Sequence, residues 1–514
     1  MRLKIMLILI CLSGSLWGQK KLLLRLEPGQ ELPQWGQKKV CLAADWGIWS
    51  YSIAEEDSAV VQQYLVQHFG AENWQWAHQL RYRARPNDPE YDFWQWNMEL
   101  LGLPEIWEET SGGLAGQDSI VVAVIDGGGD WQHEDLAENI YVNWGEVPDD
   151  GIDNDQNGYI DDFRGWRADT EDDEHAPDSH ASSVAGIIGA RGDNGIGMAG
   201  INWRVKVMLL SAQSANSLLE EGNLLATYYY IWKMRQLYEE SGGQRGAYIL
   251  VSNLSAGVDF GWPEDHPLWC GVYDSLGQAG ILSVAASMNR KENIDEVGDM
   301  PCLCPSEALM TVSLSNRYDA LDRNAPYGPL HLDLAAPGAV YTLRPNDTYN
   351  VFGGTSGAAP HLAGGIALLA SYPAADWQAY LKAEPQAAMY LLRDIILATV
   401  SKKGDMEELK SGGRLDLGAA FRLLKSLYGP KLEDNSFLWR RDSDQLYLSY
   451  RAQRAGKYRL VVRDLLGRQV FLGEKQLLGE ELTIWELGPF ESRQLLLISL
   501  YEENSLIKTE KFVY

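Results

Sequence analysis

The chain has 514 residues, with 71 acidic against 44 basic side chains and a formal charge of −27. A balance this acidic, with no basic stripe anywhere, excludes nucleic acid as a natural partner. The length exceeds what one hydrophobic core usually organises, about 250 to 300 residues, so several domains are expected.

Taken in chain order, the first element is MRLKIMLILICLSGSLWGQ, with two early basic residues, an apolar run from Ile5 to Leu12 and small residues up to Gly18. That pattern predicts a secretory signal peptide over 1–18, because the run is too short to cross a bilayer easily. An exported protein is the expectation. Residues 19–85 follow, rich in aromatics, as in ENWQWAHQLRYRARP. Of the five cysteines, Cys11 leaves with the signal and Cys41 lies in this early segment. Cys270, Cys302 and Cys304 remain; an exported protein can pair Cys270 with one of the other two, which would leave an odd thiol.

The run VAVIDGGGDWQHEDL, Val122 to Leu136, reads as a buried strand that stops on Asp126. A strand-end aspartate commonly caps a loop. At the carboxyl edge of a parallel sheet, where open α/β folds place ligands, it is also a candidate for chemistry. Next comes an acidic stretch, with 13 acidic and two basic residues between Glu146 and Asp178. Within it Asp153, Asp155, Asn157 and Asp161, with Gly158 for the turn and a Tyr159 carbonyl, have the oxygen spacing of a calcium loop, Asp161 or Asp162 closing the shell in place of the usual glutamate. Ca2+ in a structural role is the expectation; a merely solvated acidic loop would leave these like charges repelling one another.

DSHASSVAGIIGARGDNGIGMAG carries His180 at the start of a small-residue helix, where a lone histidine is more often a cap or a core residue. VSNLSAG, Val251 to Gly257, and GILSVAASMN, ending on Asn289, are strands closing on turn residues. GGTSGAAPHLAGGIALLAS places Ser356 at a helix N-terminus. There it is either an N-cap or a nucleophile whose own N–H and positive helix end face a developing oxyanion.

The order Asp126, His180, Ser356 is decisive, because IDGGGDWQHEDL, HASSVAGIIGA and GTSGAAPHLAGG closely resemble the three active-site motifs of subtilisin-like serine proteases (subtilases) over roughly Asn87 to Leu424. The resemblance implies Ser356 as nucleophile, His180 as base and then acid, Asp126 as the group orienting the imidazole, and Asn289 as oxyanion donor. It implies Ser255, Ala256 and Gly257 as walls of the S1 and neighbouring pockets, pairing with an extended peptide. Neighbouring positions depart from the usual motifs: Ala181 and Ser182 after the histidine, Gly357 after the serine, Ser287-Met288 before the asparagine, and Gly-Gly after Asp126. These departures bear on pocket shape and efficiency, since no reacting group is lost.

The resemblance further implies that 19–85 is a small α/β propeptide that inhibits the protease until it is removed near Arg83 to Pro86, and that 86–427 is a peptidase domain with a doubly wound, mainly parallel sheet. A linker over 428–445 leads to 446–514, whose short alternating strands predict an all-β sandwich. That stretch, with YRLVVRDLL, a Gly-Arg turn and the ending KTEKFVY, resembles the sorting domain of type IX secretion. It implies the outer-membrane secretion machinery as a partner and a secreted or cell-surface location. The expected function is thus a secreted serine endopeptidase acting on polypeptide substrates. The competing expectations are a catalytically weak subtilase scaffold that binds at the cell surface and a protease that processes a single partner.

Overall fold

A computed structural model of the protein describes residues 19–26, 39–54, 57–69, 73–77, 85–113, 119–214, 216, 218–429, 438–442, 445–451, 456–463, 469–477, 482–489, 495–502 and 505–513. The expected signal peptide, Arg83 and Ala84 of the expected cleavage stretch, and 430–437 of the expected linker lie outside them. The chain divides into two units, Met1–Tyr82 and Arg83–Tyr514.

The first unit is a four-stranded antiparallel sheet, in the order Lys39–Ala43, Ile48–Ala54, Gln19–Arg25, Trp74–Trp76, with one helix, Ser58–His68. Alternation buries Leu22 and Leu24 of one strand with Tyr51 and Ile53 of the next, and the helix adds Val61 and Leu65.

The second unit is built on a nine-stranded sheet. Its order is Ser401–Lys402, Gly413–Arg414, Leu334–Pro337, Leu309–Ser315, Leu282–Ala286, Ile249–Leu254, Val121–Asp126, Lys206–Ser211, Trp166–Arg167. Every neighbouring pair is parallel except the first, which is antiparallel. Helices cover both faces, as fully apolar parallel strands require. Val122 and Val124 pack with Val184 and Ile187 of the helix Ser179–Gly189 and with Ala358 and Leu362 of the helix Thr355–Ala370. Val121, Ala123 and Ile125 face the other way, onto Leu224, Tyr228 and Met234 of Glu221–Ser241 and Trp269 and Tyr273 of Pro267–Gln278.

From Val121–Asp126 the chain first adds strands on one side, then crosses to Ile249–Leu254 on the other. The carboxyl ends of these two adjacent strands therefore flank a topological switch point, where such sheets open a crevice. A disulfide joins Cys270 to Cys304, while Cys302 is a buried free thiol.

Beyond the helix Leu417–Tyr428, seven antiparallel strands form two sheets. One holds Leu438–Asp442, Gln445–Arg451 and Leu482–Pro489; the other holds Gln469–Leu477, Gly456–Arg463, Leu495–Glu502 and Ser505–Val513. The strand Leu438–Asp442 lies inside the stretch expected to be a linker. Its residues, LWRRD, pair in register with Gln445–Arg451, a contact invisible in the segment alone. Among the described residues no helix is long and apolar enough to cross a membrane.

Candidate active site

Asp126 ends its strand with the carboxylate fixed at both oxygens. Oδ1 accepts the Gly127 N–H at 2.8 Å, and Oδ2 lies 2.7 Å from His180 Nδ1. His180 occupies the first turn of its helix, which is capped by Asp178, whose side chain accepts the Ala181 N–H at 2.8 Å. Its ring meets Phe352 edge-on, with centroids 5.1 Å apart, and its side chain keeps 40% of its surface exposed. Burial works against charging this imidazole, yet its hydrogen bond to Asp126 and the negative charge there outweigh it and hold the pKa above the ordinary 6.5. His175 and His361, buried without a carboxylate partner, are both pushed down to about 4.

Two departures from the usual motifs have local explanations. Ser182 Oγ accepts the Asp130 N–H at 2.9 Å and donates to the Asp178 carbonyl at 2.5 Å, tying the loop after Asp126 to the histidine helix. At Gly357, a Cβ would stand 2.5 Å from the Gly338 carbonyl oxygen, so the helix start sits too close to that chain for a side chain.

Every residue of Thr355–Ala370 is buried except Ser356. The helix begins after Gly354, whose φ of 85° and a would-be Cβ 2.5 Å from Asn289 Oδ1 both require glycine. Asn289 Oδ1 accepts the Thr355 N–H at 2.9 Å, so this side chain caps the first orphan donor of the helix. Its Nδ2 has no protein acceptor among the described residues, and the next helical N–H, that of Ser356, has no intrahelical partner. Both donors border one pocket, lined also by Ser255, Ala256, Gly257 and Asp299.

Ser356 Oγ donates to the Ser255 carbonyl at 3.1 Å, and the Ser255 hydroxyl in turn donates to the Ser356 carbonyl at 3.1 Å. Among the described residues no hydrogen bond joins Ser356 to His180. The structure thus brings Asp126 to His180, and Ser356 to Asn289 and the Ser255–Gly257 stretch.

Residues 117–414 match the subtilase family, Peptidase_S8. The chain belongs to the subtilase family. Among the curated relatives of this subtilase is Subtilisin-like protease 1 of Plasmodium berghei (strain Anka), 29% identical over 305 residues, covering 55% of this chain and 47% of the relative. Another is the Major intracellular serine protease of Bacillus subtilis (strain 168), 26% identical over 309 residues, covering 59% and 83%. The chain spans about half the length of the first curated relatives it matches. A solved structure of proteases from Pseudoalteromonas arctica is 24% identical, covers 66% of this chain and 100% of its own, and aligns with a TM-score of 0.47.

In the acidic stretch the fold brings Glu146 to two of the carboxylates the spacing suggests, Asp155 and Asp162. Asp153 is occupied by the N–H groups of Asn157 and Gly158 at 3.0 and 2.9 Å, and Asp161 by those of Asp150 and Gly151 at 3.1 and 3.0 Å. The Tyr159 ring packs edge-on against Trp166 and Tyr230. Asp155 instead joins Glu146 and Asp162, all three buried, with one carboxylate oxygen of each within 4.8 Å of the others. Asn157 lies beside them, its Nδ2 2.8 Å from Asp162 Oδ2, and Glu146 Oε2 is buried with no partner. Burial, and behind it the neighbouring carboxylates, pushes all three acids up, Asp162 to about 7. Glu146 lies nine residues before Asp155, outside the loop spacing, and only folding of the intervening turn brings it in.

Proposed function

We propose that this subtilase is a secreted serine endopeptidase. Ser356 Oγ attacks the peptide carbonyl while His180 Nε2 takes its proton. The acyl-enzyme forms as His180 returns that proton to the leaving amine, and water then repeats the sequence to release the acid. Asp126 holds the imidazole in the tautomer with Nδ1–H and stabilises its charged form. The Ser356 N–H and Asn289 Nδ2 receive the oxyanion. The observation that carries this reading is the 2.7 Å contact of His180 Nδ1 with Asp126 Oδ2, made beside a helix whose one unburied residue is Ser356. Substrates are polypeptides, bound as an added strand along Ser255–Gly257.

Residues 19–85 serve as the inhibitory prosegment. Export through the signal peptide, and sorting by the type IX machinery through the C-terminal strands, complete the proposal; the paired strands beyond Leu438 support a β-module there. Ca2+ fits the Glu146, Asp155 and Asp162 group, since its donors are all hard oxygens and the orphaned Glu146 Oε2 needs a positive partner. Bound there, it offsets part of the negative charge of the acidic stretch and stabilises the loop between Asp126 and His180 in sequence.

The bond from Ser356 Oγ to Ser255 favours a second reading, a weak enzyme acting as a surface binding scaffold. Incubation with a fluorophosphonate followed by mass spectrometry separates the two. A phosphonyl adduct on Ser356, absent in Ser356→Ala, supports the protease; an unlabelled wild-type chain freed of residues 19–85 and supplied with calcium sinks it.

A further inference from the structure

The floor of the pocket beside Ser356 carries an acid that no motif marks. Asp299 begins the two-residue strand Asp299–Met300, which pairs antiparallel with Val258–Asp259 so that Asp299 stands directly opposite Asp259. Both aspartates line the same pocket as Ser356, Asn289 and the Ser255–Gly257 wall. Gly257 lies against this strand so closely that a Cβ there would come within 2.1 Å of the Met300 carbonyl oxygen. Like charges facing each other across a ladder repel, so the arrangement needs a cation.

The protein supplies only one among the described residues, and to the wrong partner. Arg290 Nε lies 3.5 Å from Asp259 Oδ2, with 64% of the Arg290 side chain exposed. Asp299 is 1% exposed, and among the described residues no lysine, arginine or histidine pairs with it. Its Oδ2 accepts the Met288 N–H at 2.9 Å, and the Cys302 thiol is its other polar neighbour. A buried carboxylate with no cation is costly, and a pocket that opens on solvent can take the cation from a ligand. Burial, and then the charge of Asp259, pushes the Asp299 carboxyl up to about 7 against the pull of the Met288 N–H, which an entering cation would reverse.

We infer that Asp299, seconded by Asp259, makes this pocket select lysine or arginine at P1, the residue whose carbonyl Ser356 attacks. The assignment rests on the protease reading, since the pocket is P1-binding only if Ser356 is the nucleophile. The small side chains of Ser255, Ala256, Ala286 and Ser287 along the lining leave room for a long unbranched side chain, and an acid among them rewards one that ends in a positive charge. A neutral chain of the same length would desolvate the acid without pairing it.

The test is kcat/KM on the calcium-supplied protein for peptides differing only at P1: arginine, lysine, norleucine, phenylalanine and glutamate. Arginine and lysine should exceed norleucine by about tenfold to a hundredfold, the span of one charge-assisted hydrogen bond, and glutamate should be worst. Asp299→Asn, which keeps an acceptor for Met288, should bring the arginine-to-norleucine ratio close to one. Should that variant not fold, the wild type still decides: benzamidine should slow fluorophosphonate labelling of Ser356, and uncharged benzamide should not. Norleucine or phenylalanine outrunning arginine, with Ser356 labelled normally, overturns the P1 assignment and leaves the protease standing. Absence of both cleavage and labelling overturns the two together.

Discussion

His180 Nδ1 sits 2.7 Å from Asp126 Oδ2, whereas Ser356 Oγ is bonded to the Ser255 carbonyl. In the proposed mechanism the base is thus oriented before the nucleophile is engaged. In the absence of substrate such nucleophile–base contacts are often long, and they tighten when the peptide arrives. An entering peptide that displaces Ser356 Oγ from the Ser255 carbonyl would free it to reach His180 and complete the relay.

Asp126→Asn keeps an acceptor for the Gly127 N–H, so folding should survive. The imidazole loses its charged partner and its fixed tautomer, and kcat/KM should fall by about ten-thousandfold. Peptide hydrolysis measured beside a thermal melt checks both halves. Near-normal turnover with an unchanged melt would remove Asp126 from the mechanism.

The pH profile follows from the raised pKa of His180. General-base catalysis needs neutral imidazole, so kcat/KM should climb with pH along a limb centred above 6.5. In Asp126→Asn that limb should move to lower pH. Linkage gives stability the opposite sense. The charged His180–Asp126 pair supports the fold fully below the ordinary histidine pKa, and that support fades as pH rises through the higher folded value. Thermal melts of both proteins, run from about pH 5 to about pH 9, should therefore converge at the alkaline end.

Asn289 has two jobs on two atoms, and substitutions separate them. Asn289→Ala removes both the oxyanion donor and the cap on the Thr355 N–H, so kcat should drop by about a hundredfold to a thousandfold, with a lower melting temperature. Asn289→Asp keeps the acceptor and loses the donor; kcat should still fall while most of the lost stability returns. A kcat loss confined to the alanine variant would show that Asn289 only holds the helix.

Calcium should raise the melting temperature of the chelated protein, by an amount corresponding to about 2.7 kcal/mol at a hundredfold excess over Kd. Glu146→Gln should abolish most of that gain, because the orphaned oxygen is the donor with least to lose. Asp161→Asn should leave it nearly intact, since that carboxylate is committed to the N–H groups of Asp150 and Gly151. Titration calorimetry with the metal alone checks both; equal losses from the two variants would return the site to the linear loop.

What was legible in the sequence is what lies at the ends of regular elements. Val121–Asp126 and the helices bearing His180 and Ser356 declare themselves through apolar runs broken by glycine and small residues, and the parallel sheet follows from the family resemblance those motifs carry. Contacts made by folding were not legible. Asp299 meets Asp259 only because two short strands pair in register, and Glu146 reaches Asp155 only because a turn returns the chain. Within the acidic stretch, backbone N–H groups of tight turns bind Asp153 and Asp161, carboxylates that a spacing rule assigns to a metal.

The Cys270–Cys304 bond closes a 34-residue interval of chain that contains Asn289 and Asp299 but neither Asp126, His180 nor Ser356. One covalent staple thus closes the segment that brings Asn289 and Asp299 to the pocket, while Asp126, His180 and Ser356 sit on elements outside it. A reducing medium would loosen recognition before it disturbed the nucleophile: a redox-dependent loss of selectivity, with serine labelling preserved.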